Sequence, residues 1–151
     1  MTAVEYKYNG LKITIPRELV LHPTNMMSGR RRVYKLERPF AVYIRTDGVY
    51  ENYVVPAGFT TDLATIPLLA QVFVGGNDAP GVAEAAVFHD WACVQGMPRS
   101  YANSKLFYLM LAFKAPYWKA LAFYWAVSVF GYGSLFARVC KRIRGWLDLE
   151  T

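Results

Sequence analysis

The sequence predicts an α+β fold, with a small N-terminal antiparallel sheet followed by a C-terminal helical half. Three observations support this prediction. Apolar and polar residues alternate with period two before residue 55, Asn-Gly and Asp-Gly pairs interrupt that alternation, and helical periodicity replaces it after Pro67. Strands that precede helices along the chain, rather than alternating with them, are typical of this fold class.

The strands are marked by their turns. Asn9-Gly10 and Asp47-Gly48 each separate two alternating segments, and such pairs adopt the positive φ angles that a tight hairpin turn requires. Because both pairs connect neighbouring segments, we expect them to close two hairpins of one small antiparallel sheet. The predicted strands, which occupy about residues 4–55, are residues 4–8, 11–15, 32–37, 39–46 and 49–55.

Helices are predicted from about residue 68 to residue 147. The first clear helix covers about residues 80–94 and ends at a Gly-Met-Pro segment. Ser100 is placed to cap a second helix at residues 101–114, because its hydroxyl can accept a hydrogen bond from a first-turn amide. Pro116 is suited to open a third helix, since proline is favoured at the first helical position.

Length and composition indicate one domain with an apolar surface. The 151 residues suit a single domain, 1–151, in which a motif loop at residues 56–67 joins the strands to the helices. Hydrophobic residues make up 54% of the chain and charged residues 19%, so more apolar surface is expected than in an average soluble domain. Some of this surface is therefore expected to face a partner or lipid.

The net charge of +6 does not by itself indicate nucleic-acid binding. The basic cluster Arg30-Arg31-Arg32 adjoins a predicted strand and has no interleaved aromatic residues for base stacking, so a nucleic-acid partner is not expected. The first eight residues lack the basic and apolar regions of a signal peptide, which predicts synthesis in the cytoplasm.

The segment 120–137 contains no charged residue and would span about 27 Å as one helix, just short of a bilayer core. Gly131 and Gly133 favour a break near Phe130, and basic residues follow from Arg138. We favour buried or partner-facing helices here. A helix on the membrane surface and a spanning helix are the two alternatives.

His89 and Asp90 are the leading candidates for chemistry. Adjacent helical residues point about 100° apart, so both side chains can reach one cavity beside the helix. An imidazole titrates near neutral pH, which suits His89 to act as a general base or a metal ligand. The alternative is a buried histidine that bonds to a backbone carbonyl, with Asp90 capping a loop.

The motif loop adds a carboxylate and three hydroxyls: Asp62, Thr60, Thr61 and Thr65. A buried loop must find partners for such groups. If the loop packs on the helix, Asp62 can orient His89. These side chains can instead be local turn and capping groups.

The sequence allows two further kinds of chemistry, a divalent metal site and a thiol nucleophile. His89, Asp90 and Asp62 are the candidate metal ligands, and Cys93 or His22 could complete a set, although no spacing requires one. Cys93 lies one turn from His89 and could be a nucleophile, but the sequence places no cation nearby to lower the pKa of its thiol.

Three segments resemble, in order, the motifs of the domain-of-unknown-function 1353 family, which is found mainly in tailed bacteriophages and prophages. They are residues 55–67 (VPAGFTTDLATIP), 85–91 (AAVFHDW) and 101–107 (YANSKLF), within a resemblance covering about residues 30–140. The resemblance implies a phage origin, often near tail or lysis genes, and no established activity. The family usually has an aspartate where this chain has Asn103, which can form hydrogen bonds but cannot supply charge to an imidazolium or a metal.

Two functional hypotheses follow. The first, which we prefer, is a phage hydrolase at the cell envelope in which His89 activates water and Asp62 or Asp90 orients it or binds a cation. A polar pocket for this site would be shaped by Thr60, Thr61, Thr65 and Asn103. The His-Asp pair is also similar to that of small secreted phospholipases, although their calcium loop and disulfides are missing.

The second hypothesis is a noncatalytic virion, tail or assembly component that binds another phage protein through the aromatic helices. A membrane surface is a further partner that the apolar, basic C-terminal end would suit. Under either hypothesis the protein is made in the host cytoplasm and finishes there, in a virion or at the inner membrane.

Overall fold

A computed structural model of the chain describes residues 3–28, 31–61, 63 and 81–130. Within these ranges strands come first and helices last, which confirms the predicted α+β fold. The strands are β1 (Val4–Tyr8), β2 (Leu11–Ile15), β3 (Leu21–Ser28), β4 (Arg31–Leu36), β5 (Phe40–Thr46), β6 (Val49–Val55) and β7 (Thr60–Thr61). The helices are α1 (Val82–Val94), α2 (Arg99–Ala112) and α3 (Tyr117–Phe130).

The two predicted hairpins form a four-stranded antiparallel sheet in the order β1-β2-β5-β6. Their turns have the positive φ angles that the sequence predicted: 44° at Asn9 and 79° at Gly10, and 48° at Asp47 and 83° at Gly48. Positive φ at both central residues matches the twist of the strands, so these turns fix the register of the sheet.

A second, three-stranded sheet with the order β3-β4-β7 was not predicted, and β4 belongs to it rather than to the first sheet. Strand β3 is hard to recognise because it contains Pro23 and its register shifts between Pro23 and Met27. Strand β7 has only two residues, Thr60 and Thr61, which pair with Lys35 and Tyr34. The predicted motif loop therefore contains a short strand at its centre.

One hydrophobic core joins the first sheet to the helices. Strand β2 buries every second residue, including Ile13 at 0% exposure, as expected for a strand with one face on the core. Tyr53 of β6 lies edge-on to Phe88 and Trp91 of α1, with ring centroids 5.6 and 6.1 Å apart. These aromatic contacts fix the position of α1 against the sheet.

The helix starts differ in detail from the prediction. Helix α2 begins at Arg99 with Pro98 at its N-cap, so the predicted cap by Ser100 is wrong; Ser100 lies inside the first turn, where its carbonyl accepts from the Ser104 hydroxyl at 3.0 Å. The predicted third helix is present as α3, which begins at Tyr117, one residue after the predicted start at Pro116. The Pro116 carbonyl accepts from the Ala120 amide.

Within the described part of the chain, no helix combines the length and apolar character needed to cross a bilayer. The described portion of the apolar segment ends at Phe130, and the remainder of residues 120–137 lies outside the described residues.

Candidate functional site

The packing of α1 against α2 brings His89 and Asn103 together. The Nε2 atom of His89 lies 2.7 Å from Oδ1 of Asn103. Both side chains are buried, with exposed fractions of 0% and 3%. A polar contact this short, removed from water, holds the imidazole ring in one orientation.

A second hydrogen bond assigns the tautomer of the ring. The Nδ2 atom of Asn103 donates to the Ser128 hydroxyl of α3 at 3.4 Å, so the amide oxygen is the atom that faces His89. A carbonyl oxygen can only accept, and therefore Nε2 of His89 carries the hydrogen. In a neutral ring the lone pair then lies on Nδ1.

Burial keeps that ring neutral. Desolvation lowers the pKa of His89 to about 4, the hydrogen bond with Asn103 opposes this effect, and the charge of Arg99 adds to it. At pH 7 the imidazole is uncharged, and its Nδ1 atom is an acceptor.

The Nδ1 side of the ring faces Cys93. The distance between His89 Nδ1 and Cys93 Sγ is 3.9 Å, within reach of a weak S–H···N hydrogen bond. The two residues are four apart on α1 and share one face of the helix. Cys93 is only half-buried, in contrast to the histidine beside it.

Asp90 has a different set of neighbours. It is 4% exposed, and its Oδ2 atom accepts from the Thr61 hydroxyl at 2.5 Å. The same hydroxyl oxygen accepts from the amide of Leu63 at 3.0 Å. Leu63 has a φ of 57°, an angle that non-glycine residues rarely adopt. The hydrogen bond between Thr61 and Asp90 connects strand β7 to helix α1.

The described contacts of His89 and Asp90 therefore diverge. Asn103 and Cys93 flank the ring, whereas Thr61 binds the carboxylate. The predicted pocket residue Asn103 is the direct partner of His89, a closer role than the sequence indicated.

The other predicted residues have different outcomes. Thr60 is buried at 7% exposure, whereas Asp62 and Thr65 lie outside the described residues. Orientation of His89 by Asp62 thus stays a prediction. His22 is exposed and pairs with Glu37 at 3.0 Å.

Metal binding also stays a prediction. Across the described ranges there is no group of three or more His, Cys, Asp or Glu side chains that could hold a metal ion. The candidate set His89, Asp90 and Asp62 includes a residue outside those ranges.

The sequence did not predict a polar cluster that joins strand β6 to helix α2 beside the site. The Tyr101 hydroxyl donates to Glu51 Oε2 at 2.9 Å and lies 2.8 Å from the Tyr53 hydroxyl. Lys105 lies 3.8 Å from Glu51 and 4.8 Å from the centre of the Tyr101 ring. Burial, followed by the bonds to Tyr53 and Glu51, raises the pKa of Tyr101. The four-residue spacing of Tyr101 and Lys105 was the one signal for this cluster in the sequence.

A surface pocket among the described residues lies away from this site. It has a volume of about 410 Å³ and lies at the turns of the two hairpins. It is lined by Lys7, Tyr8, Asn9, Gly10, Leu11, Lys12, Arg45, Asp47 and Gly48. Neither His89 nor Asp90 is among these residues, so the pocket is separate from the site around His89.

Comparison with known proteins gives a family and two relatives. The model of the family described as "Protein of unknown function (DUF1353)" matches residues 34–127. The uncharacterized protein y4jT of Sinorhizobium fredii is 36% identical over 81 residues, which cover 53% of this chain and 24% of y4jT. The uncharacterized protein y4iH of the same organism is 40% identical over 72 residues, covering 47% of this chain and 30% of y4iH.

The matched region therefore spans less than a third of either relative. No solved structure matches the chain.

Proposed function

The chain belongs to the DUF1353 family, and we propose that this member is a phage-encoded hydrolase in which His89 is the general base. The phage origin rests on the resemblance of the three motifs, and action at the cell envelope on the apolar C-terminal helices. The observation that carries the proposal is the 2.7 Å contact between His89 and Asn103, which leaves the lone pair of the ring on Nδ1.

A general base needs an unprotonated nitrogen and a fixed direction of attack. The lowered pKa of His89 supplies the first at neutral pH. The hydrogen bond from Nε2 to Asn103 supplies the second, in the same way that a third residue orients the base of a catalytic triad. Ser128 holds the amide in turn, so three helices fix the direction of Nδ1.

Replacing Asn103 with aspartate tests the electrostatic part of this arrangement. The amide orients His89 without charge, whereas a carboxylate would also stabilise the imidazolium that forms when the base accepts a proton. We expect Asn103→Asp to raise the pKa of His89 from about 4 toward its ordinary value of 6.5. The pKa can be measured from the ring proton shifts in NMR spectra. An unchanged pKa would contradict the direct contact.

Replacing His89 with glutamine tests the function itself. General-base catalysis contributes about 10²–10⁴-fold to a rate, so we expect His89→Gln to lose at least about 100-fold of any turnover. Purified protein would be assayed with peptidoglycan, phospholipid vesicles, and nitrophenyl esters and phosphates. His22→Gln is the matched control, because His22 is exposed and distant in sequence from the cluster. Full activity in a folded His89→Gln variant would refute the proposal.

One observation favours a second candidate, a noncatalytic phage component that binds another phage protein. On α3 the side chains of Ala120, Phe123 and Val127 are buried, while Trp118 and Trp125 are 58% and 59% exposed. Large exposed aromatic side chains on one helix face are typical of an interaction surface.

Polar substitution of the exposed face tests this candidate. We expect the double variant Trp118→Ser and Trp125→Ser to stay folded and to lose most of its binding to purified particles of the source phage. Tyr50→Ser on strand β6 is the control, because Tyr50 is 66% exposed but lies on the sheet. Phe123 is unsuitable because it is buried at 2% exposure. Equal binding by the wild-type and double-variant proteins would reject this surface.

A further inference from the structure

Three side chains of α1 and α2 form a continuous line of contacts. Cys93 Sγ lies 3.9 Å from His89 Nδ1, and His89 Nε2 lies 2.7 Å from Asn103 Oδ1. The order is thiol, imidazole, amide. A nucleophile, a base and an orienting group in this order recur on unrelated folds, where they are recognised by geometry and not by sequence position.

The tautomer gives this line a direction. Asn103 accepts from Nε2, so the nitrogen that can remove a proton is Nδ1, the atom that faces the sulfur. If the Asn103 amide were flipped, its NH2 group would donate to Nε2, the hydrogen of the ring would lie on Nδ1, and the base could not act on the thiol. The bond from Asn103 to Ser128 prevents that alternative by fixing which amide atom faces the ring.

Exposure separates the roles of the two reactive groups. The His89 side chain is fully buried, whereas Cys93 is half-buried. A substrate can approach the sulfur more readily than the ring nitrogen. We therefore propose that Cys93 is the nucleophile of the site and that the protein is a thiol hydrolase acting on esters or amides.

This inference rests on the proposed function, and it supplies the substrate class. Nδ1 of His89 takes the thiol proton as Sγ forms a bond to the substrate carbonyl carbon. The tetrahedral intermediate then breaks its bond to the alcohol or amine, which leaves with the proton from Nδ1. Water, deprotonated by His89, attacks the resulting thioester, releasing the carboxylic acid and restoring the thiol.

The resting pair is expected to be uncharged. A buried imidazolium is unfavourable, and Cys93 lies in the last turn of α1, where the helix dipole disfavours a negative charge. Deprotonation of the thiol therefore accompanies attack instead of preceding it. This mechanism predicts a specific pH dependence of the acylation step.

The test uses the full chain with Cys140→Ser, so that Cys93 is the remaining thiol. The probe is p-nitrophenyl acetate, and mass spectrometry after rapid acid quenching detects acetyl-Cys93. We expect the adduct to form in the parent protein and to form at least about 10-fold more slowly after His89→Gln or Asn103→Ala. Absence of the adduct, or equal rates in the parent and both folded variants, would overturn the inference.

The pH profile of the parent protein supplies evidence that does not depend on a variant folding. With His89 as base, the acylation rate should level off by about pH 6, since the ring is already neutral there. An isolated thiol would instead gain about 10-fold per pH unit up to about pH 8.5. That steep profile would overturn the inference.

Cys93→Ala separates this inference from the proposed function. Loss of hydrolysis in both Cys93→Ala and His89→Gln supports the thiol mechanism. If Cys93→Ala keeps the hydrolysis that His89→Gln loses, His89 activates water directly, so the proposed function stands and the thiol inference is overturned. If both folded variants remain active, both are overturned.

Discussion

Acidification from pH 7 to pH 4 is expected to lower the free energy of unfolding by about 3 kcal/mol through His89 alone. The folded-state pKa of His89 is about 4, below the ordinary value of 6.5. Between these pH values the unfolded chain binds a proton that the folded protein excludes, so protonation favours unfolding. The stabilisation is complete above pH 6.5 and is lost as the pH falls toward 4.

Urea unfolding at pH 7, 6, 5 and 4.5 measures this effect. In the wild-type protein the free energy of unfolding should decline over this range more steeply than in His89→Gln, because the variant has no imidazole to protonate. His22→Gln is the control substitution, because it removes the other histidine of the chain from an exposed position on β3. Parallel curves for the wild-type protein and His89→Gln would show that the folded protein tolerates a charged His89.

Gly81→Ala is expected to destabilise the protein by about 3 kcal/mol. Gly81 is the N-cap of α1 and has a φ of 82°, where an L-residue is strained. A Cβ atom there would lie 2.6 Å from Cβ of Phe113 and 3.3 Å from the carbonyl oxygen of Met110. Both atoms belong to the end of α2 and the residue after it, so α1 and α2 would have to move apart.

Gly96→Ala is the matched control for that substitution. Gly96 has a similar φ of 78°, but no atom lies within 4 Å of the position of an added Cβ. We expect it to cost only about 1–2 kcal/mol, the strain of the left-handed backbone. Thermal or urea unfolding gives the loss of stability of each variant. The difference between the two losses is the cost of the steric contact with Phe113, separated from the cost of backbone strain. Equal losses of stability would mean that the Phe113 contact relaxes without cost.

Much of the fold was predictable because local chemistry decides it. Asn9-Gly10 and Asp47-Gly48 specify hairpin turns within a few residues, and Pro116 and the helical periodicity mark α3 and α1. Strand β3 was missed because Pro23 and a register shift interrupt the alternation. Strand β7 was missed because two residues are too few to show a period, and its pairing with β4 depends on distant chain segments.

The site was predictable in its residues and not in its pairings. The apolar surroundings of His89 and Asp90 and the family resemblance at Asn103 identified these residues as candidates, and the structure buries all three. Which side chain meets which depends on how α1, α2 and β7 pack, and no local pattern encodes that. Ser128 gave no signal, because a serine in an apolar helix is common and its contact with Asn103 comes from helix packing.

Because Ser128 of α3 holds the Asn103 amide, the position of α3 decides which nitrogen of His89 carries the hydrogen. Ser128 lies less than one turn beyond Trp125, whose side chain is exposed on the same helix. A ligand that shifts α3 from outside would loosen the amide and free the imidazole to exchange tautomers. Coupling between two sites is reciprocal. A protonated or covalently occupied His89 site would therefore change the affinity of the exposed face of α3 for that ligand by the same factor by which the ligand changes the equilibrium at His89.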